Sequence, residues 1–317
     1  MIPRPVVHVL EPIHPAALEI LGKSADLLGP ETPFPSECDA VIVRARRLTA
    51  AEIAACPRLR VIGKHGAGLD AIDVAAAEAR GIAVLSTPGA NAESVADLAV
   101  GFSLALLRNI HGATLALKVG EPLDANERQG WDLNEISIGI FGLGAIGRAT
   151  AARMVGGFGA SVQAFDPGLG EAAWPQDVTR VASLKDLLQS SRLLIIHAPL
   201  VPGTRNAIDA NALDLMPEGA FLVNCARGGI VDEPALAVAL RSGRIAGAAA
   251  DVFAEEPPAA DNPLLACPGF LATPHLGGAT NGALLRVGRA IVDQVLDRLS
   301  MSAAGADGAS DPIMKEN

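Results

Sequence analysis

The 317-residue sequence has no tyrosine and only two tryptophans, and aromatic residues make up 3% of it. Without tyrosine, no mechanism that needs a phenolic acid is open, including the Tyr-x-x-x-Lys arrangement of short-chain dehydrogenases. Positive charge is also short: 25 Lys and Arg face 35 Asp and Glu, a formal charge of −10. Nucleic-acid binding asks for a basic footprint, so no nucleic-acid partner is expected. The four cysteines (Cys38, Cys56, Cys225, Cys267) form no Cys-x-x-Cys pair, and no His-Glu-x-x-His occurs. Both absences argue against a metal site, and the scattered thiols fit a reducing compartment. Long apolar runs are missing too. The longest, residues 95–107, is cut by Asp97 and falls short of the roughly 20 residues a membrane helix needs. Pro3 and Pro5 sit where a signal core would lie. A cytoplasmic protein with no membrane partner is expected.

What is present points to a layered α/β protein. Half the residues are hydrophobic and 19% are charged, enough for a large core, and the length suggests two domains. β-rich runs at 6–10, 40–43, 60–63 and 82–85 alternate with helical stretches such as 15–21 and 72–79. A long helix is expected over 91–108, where Ala92, Val95, Ala99, Phe102 and Leu106 recur on one face. A second series follows, with strands at 136–141, 161–165, 193–197, 220–224, 245–250 and 270–272, a helix at 145–154 and a closing helix at 283–299. The alternation predicts two Rossmann-like domains with doubly wound parallel sheets and an active site in the cleft between them. The expected partition is a discontinuous substrate-binding domain, 1–97 with 288–317, and a cofactor domain, 98–287. The tail 301–317, rich in Ala, Gly, Ser and Asp, is expected to be loosely ordered outside the fold.

The cofactor signal is Gly142-Leu143-Gly144-Ala145-Ile146-Gly147, a G-x-G-x-x-G between a strand and a helix. Its first glycine allows the tight turn, the second lets a pyrophosphate approach the backbone, and the third lets the helix pack closely. From Gly147 to Asp166, at the end of the next strand, is 19 residues, the spacing of a ribose 2′-hydroxyl acceptor. A carboxylate there repels a 2′-phosphate, and no Arg follows it directly, so NAD is expected over NADP. The bland alternative is a glycine-rich βα turn with a capping Asp.

Three polar residues follow strand ends, where ligands bind in open α/β sheets: Arg227, Glu256 and His275. Arg can clamp a carboxylate, His can exchange a proton near neutral pH, and Glu can hold the imidazole. Together they suit carbonyl–alcohol interconversion. Each also has a plain reading, as a surface cation, a turn residue or a loop histidine.

These stretches, with His197-Ala198-Pro199-Leu200, Asn224-Cys225-Ala226-Arg227-Gly228-Gly229, Asp251-Val252-Phe253-Ala254-Glu255-Glu256-Pro257 and Thr273-Pro274-His275-Leu276-Gly277-Gly278, resemble the D-isomer-specific 2-hydroxyacid dehydrogenase family, closest to its phosphoglycerate dehydrogenase branch. The resemblance covers most of 40–295. It implies that Arg227 binds substrate, His275 is the acid–base and Glu256 supports it. It implies cofactor contacts at Gly142, Gly144, Ala145, Ile146, Gly147, Asp166, Ala198, Pro199, Cys225, Ala226, Gly277 and Gly278, with Asp251 near the nicotinamide carboxamide. Gly66-Ala67-Gly68 matches a loop whose amides hold the substrate carboxylate, and Arg44 matches a phosphate-contacting Arg. Two departures stand out. Ala198 replaces a frequent Thr, and Lys64-His65 enters the substrate loop in place of the usual Arg or small residue.

Arg44, Arg46, Arg47, Lys64 and His65 make a basic patch in an acidic chain, which suggests a second anionic group on the substrate. Arg44, Lys64 and His65 are the candidates for contact, whereas Arg46 and Arg47 read as solvated residues at a helix start. The activity expected is NAD-dependent oxidation of a small 2-hydroxy acid, or reduction of its 2-oxo acid, and the resemblance implies the D isomer and a homodimer built through the cofactor domain. Glyoxylate or hydroxypyruvate reductase and sulfolactate dehydrogenase are alternatives, and an NADH-sensing corepressor is the rival from another class.

Overall fold

A computed structural model describes residues 4–125 and 128–304 of the chain. The described residues divide into two compact units. The first runs up to Asn91 and resumes at Asn281, and the second is Ala92–Thr280. These boundaries fall six or seven residues before those expected, 97/98 and 287/288, because the helix Ala92–Leu107 belongs whole to the second unit and the helix Asn281–Ala304 whole to the first.

The first unit is a five-stranded parallel sheet of β1 (Val6–Val9), β2 (Asp26–Leu28), β3 (Ala40–Val43), β4 (Val61–Lys64) and β5 (Ala83–Leu85), in the order β2-β1-β3-β4-β5. β3 is an all-apolar run, Ala-Val-Ile-Val, buried throughout, as a central parallel strand must be when both faces are covered. One face packs on α1 (Pro15–Ser24) and α10 (Asn281–Ala304) through Val7, Leu21, Ile42, Ile291 and Val295. The other packs on α2 (Ala50–Ala54) and α3 (Val74–Ala79) through Val41, Ile53, Ile62 and Ala77. Residues 301–304, expected in the loose tail, continue α10, while 305–317 lie outside the described residues.

The second unit starts with α4 (Ala92–Leu107) and α5 (Ile110–Val119), then β6 (Ser137–Phe141), α6 (Ala145–Phe158), β7 (Ser161–Phe165) and β8 (Val178–Arg180). It continues through α7 (Leu184–Ser190), β9 (Leu193–Ile196), α8 (Ala210–Leu215), β10 (Ala220–Asn224), α9 (Glu233–Arg241), β11 (Ile245–Ala250) and β12 (Phe270–Ala272). The seven parallel strands lie in the order β12-β11-β10-β9-β6-β7-β8. The chain therefore reverses direction across the sheet between β6 and β9, where such folds bind ligands beyond the strand ends. α4 and α6 cover one face through Ala99, Phe102, Ile140 and Met154, and α7, α8 and α9 cover the other through Leu187, Leu213, Leu222 and Leu240.

Among the described residues no single helix is long and apolar enough to cross a membrane. α4 and α5 meet that test only as a pair bent by 55°. The bend falls at Asn109, which has a left-handed backbone.

Candidate active site

The glycine loop leaves β6 at the reversal point. Gly142 has φ +92, and a Cβ on it would lie 2.4 Å from the amide nitrogen of Ala198, just past β9. A Cβ on Gly147 would lie 2.2 Å from the Gly142 carbonyl oxygen. No side chain fits at either position, and that is what lets the start of α6 sit against the strand ends. Gly144 is different: nothing lies within 4 Å of its missing Cβ. It is the N-cap of α6 and makes no side-chain cap, so the cap leaves the first-turn amides of Ala145 and Ile146 to an outside anion. Leu143 is held at both ends: its N–H donates to Asp166 Oδ2 (2.7 Å), and its carbonyl accepts from Arg148 Nη1 (3.1 Å). Asp166 Oδ1 accepts from the Gly168 N–H (2.9 Å), and each carboxylate oxygen keeps a lone pair for a further donor. The open cradle at Gly144 and the acceptor at Asp166 fit a dinucleotide. Pro199 is exposed beside buried Ala198.

His197, at the end of β9, bonds Thr150 Oγ1 of α6 through Nε2 (2.9 Å). Burial pushes its pKa down to about 3, so the ring is neutral and ties the strand end to the cofactor helix.

Arg227, Glu256 and His275 follow β10, β11 and β12 in turn. A Cβ on Gly228 would meet the Phe253 carbonyl carbon at 1.8 Å, so the loop after β10 lies directly on the loop after β11. Within the first loop, Asn224 Nδ2 donates to the Arg227 carbonyl (2.9 Å), and Arg227 Nη1 donates to the Ala226 carbonyl (2.7 Å). Cys225 is buried, and burial raises its thiol pKa, with the Asp251 charge adding, so it is no nucleophile.

His275 Nδ1 lies 2.7 Å from Glu256 Oε2, and Glu256 Oε1 accepts from the Phe253 N–H (3.1 Å). Burial alone would raise Glu256, but the His275 hydrogen bond and charge, the Phe253 N–H and the Arg227 charge together hold it below its ordinary value. The Glu256 bond raises His275 against the opposing effect of burial. With Nδ1 engaged, Nε2 is the nitrogen left for a substrate proton. His275 sits at φ +56, a left-handed conformation uncommon for a residue with a Cβ.

That backbone is braced by Asp251. Only 2% exposed, it accepts from Thr273 Oγ1 (2.5 Å), the Leu276 N–H (2.6 Å) and the Gly277 N–H (2.8 Å), and its carbonyl accepts the His275 N–H (2.8 Å). Asp251 and Gly277, expected as cofactor contacts, thus spend these groups on fixing the histidine loop. Neighbouring Gly278 is half-buried. This brace was missed in the sequence, because nothing there couples 251 to 273–277.

In the first unit, Gly66 has φ +136 and its carbonyl accepts the Thr87 N–H (2.9 Å), which shapes the 66–68 loop. Ala67 is exposed and Gly68 half-buried. The Lys64 ammonium, expected to face substrate, donates to the Arg44 carbonyl. His65, also expected to face substrate, is buried. It is 6% exposed, and its Nε2 lies 3.7 Å from the missing Cβ of Gly288 on α10. Burial, with the Arg44 and Lys64 charges opposing protonation, pushes its pKa down to about 4, so the ring is neutral. Arg46, expected to be solvated, is half-buried, bonds Glu52 and lies 5.1 Å over the Phe34 ring. Among the described residues no group of three or more His, Cys, Asp or Glu could hold a metal ion.

The chain is similar to known proteins along most of its length. It is 38% identical to D-3-phosphoglycerate dehydrogenase of Methanocaldococcus jannaschii over 90% of this chain and 56% of that one. It is 36% identical to hydroxypyruvate reductase of Thermotoga maritima over 93% of this chain and 98% of that one. It thus spans about half the length of the phosphoglycerate dehydrogenases it matches. D-lactate dehydrogenase of Aquifex aeolicus, solved with NAD and lactic acid, superposes with a TM-score of 0.82 at 26% identity, covering 94% of this chain and 96% of that one. Residues 100–277 match the family model of the D-isomer specific 2-hydroxyacid dehydrogenase NAD binding domain, and the chain belongs to that family.

Proposed function

We propose that the chain is an NAD-dependent oxidoreductase acting on the CH–OH group of a small D-2-hydroxy acid, and that the substrate the basic residues favour is a 3-phosphoglycerate-like acid with a second anionic group. The observation that carries the reading is the His275–Glu256 pair at 2.7 Å, on the same strand-end edge as the glycine cradle. NADH held at the glycine cradle and Asp166 would supply the hydride that C2 of the 2-oxo acid takes up. His275 Nε2 gives the carbonyl oxygen its proton and takes it back in oxidation. Glu256 orients the ring and favours its charged form. Arg227 holds the substrate carboxylate, with the amides of Gly66, Ala67 and Gly68 as further donors. Arg44 meets the second anionic group.

We place the protein in the cytoplasm, in keeping with its four free, buried cysteines. A homodimer would cover α5, which buries none of its own residues and exposes Ile110, Leu115, Leu117 and Val119. Sedimentation of a Leu117→Glu variant as a monomer is the expected result.

The test of function follows nicotinamide absorbance with 3-phosphohydroxypyruvate, hydroxypyruvate, glyoxylate, pyruvate, 3-sulfopyruvate and oxaloacetate. His275→Ala should lower kcat by about 10²–10⁴ on every acid turned over, while NADH affinity by fluorescence titration stays within twofold. Undiminished turnover in that variant would remove the acid–base assignment.

A further inference from the structure

Arg44 leaves the end of β3 with its peptide group held from both neighbouring strands. From the β1 side, the Glu11 carboxylate accepts the N–H groups of Arg44 (2.6 Å), Ala45 (2.8 Å) and Arg46 (3.0 Å). From the β4 side, Lys64 donates its ammonium to the Arg44 carbonyl. Three successive amides converging on one carboxylate form an anion nest, here filled by the protein's own side chain. Such charge-assisted bonds are roughly twice as strong as neutral ones. Surface loops beyond strand ends are ordinarily among the mobile parts of a fold, and this one is pinned at the residue that carries the cation. Neighbouring Arg46 is spent on Glu52, whereas no carboxylate pairs with the Arg44 guanidinium among the described residues.

We propose that Glu11 is a positioning residue for substrate selection: by gripping the 44–46 amides it fixes where Arg44 meets the second anionic group of the substrate. The proposal rests on the reading of Arg44 given above. Glu11 touches no substrate and works through the backbone. Fixing the base of a long side chain reduces the conformational freedom that binding would otherwise remove.

The sign of the effect separates this role from a purely electrostatic one. A carboxylate near an anion site repels the anion through space, so neutralising it would tighten binding. Loosening the loop would weaken binding. Glu11→Gln is therefore measured with 3-phosphohydroxypyruvate, which carries the second anion, and with glyoxylate, which does not. KM for the phosphorylated acid should rise about tenfold, the value of one charge-assisted contact. Its kcat should change less than twofold, and KM for glyoxylate less than threefold. Amide hydrogen exchange at 44–46 should accelerate. Glu11→Asp, which keeps the charge one methylene short, should give an intermediate KM and serves if the Gln variant does not fold.

A fall in KM, an equal rise for both acids, or unchanged exchange at 44–46 overturns the proposal. Arg44→Ala distinguishes the two layers. If it raises KM for the phosphorylated acid and Glu11→Gln does not, the positioning role alone fails. If Arg44→Ala leaves that KM unchanged, the substrate reading fails and the proposal with it.

Discussion

The loop after β3 and the loop after β6 solve the same local problem with opposite results. Arg44 and Leu143 each have an N–H taken by a carboxylate, Glu11 or Asp166, and a carbonyl taken by a cationic side chain, Lys64 or Arg148. In the second unit the grip exposes bare backbone, with open space at Gly144 and the first amides of α6. In the first it exposes a long cationic side chain. A diphosphate needs close approach to several amides at once, which any Cβ would block. A single remote anion is better met by a guanidinium that reaches out to it. On the function proposed above, the same clamp serves either chemistry, and the residue at its centre decides which.

The sharpest way to break this comparison is to place a methyl group in each loop. Gly142→Ala puts a Cβ 2.4 Å from a backbone nitrogen at φ +92, where neither neighbour can yield. The expected cost is roughly 3 kcal/mol or more, by the mechanisms that give the largest single-site losses, with loss of NADH binding. Arg44→Ala removes a side chain and leaves its backbone bonds, so thermal unfolding should shift by no more than about 0.5 kcal/mol. Equal losses in the two variants would show that the loops are not built on different constraints.

A second test uses the buried histidine that follows a strand in each unit. His65 and His197 have folded pKa values pushed to about 4 and about 3 by burial, below the ordinary 6.5. As pH falls below 6.5 the unfolded chain binds these protons first, so stability present above 6.5 is lost progressively toward the folded values. Each ring should contribute a loss on the order of 2–3 kcal/mol between pH 6.5 and 4.5. Urea unfolding of His65→Gln and His197→Gln should each show a flatter pH dependence by that amount. An unchanged slope in either would mean that its ring is already charged in the fold.

Much of this was legible from residue order. β3, β7, β10, β11 and β12 lie on the residues expected, because β3, β10, β11 and β12 are largely apolar runs bounded by turn residues and β7, Ser-Val-Gln-Ala-Phe, alternates polar and apolar residues. β2 and β8 were missed. They are three-residue edge strands, mostly exposed, with no apolar run to mark them. The glycine loop and Asp166 were readable from spacing, because their contacts follow from one βαβ unit. Glu11 was not. Its bond to Arg44 spans 33 residues and exists only because the sheet order sets β1 and β4 on either side of β3. The burial of His65 was not legible for a related reason. Proximity to a glycine loop does not say which face a strand-end residue takes, and successive residues there face opposite ways.

The smallest expected effect is the most specific, and it contrasts two carboxylates by what each holds. Glu256 holds a titrating ring, whereas Glu11 holds amides that do not titrate. The Glu256 bond keeps His275 protonated to a pH above 6.5. Reduction needs that proton, so its rate should hold at low pH and fall as pH rises through the raised value. Glu256→Gln removes the charge, and the falling limb should move down by about one pH unit. Oxidation needs the neutral ring, so its rising limb should move down by the same amount. Glu11→Gln should leave both limbs where they are while changing KM for the phosphorylated acid. If the two variants moved the limbs alike, the Glu256 bond would not be what sets the titration of His275, and the contrast between the two carboxylates would have to be abandoned.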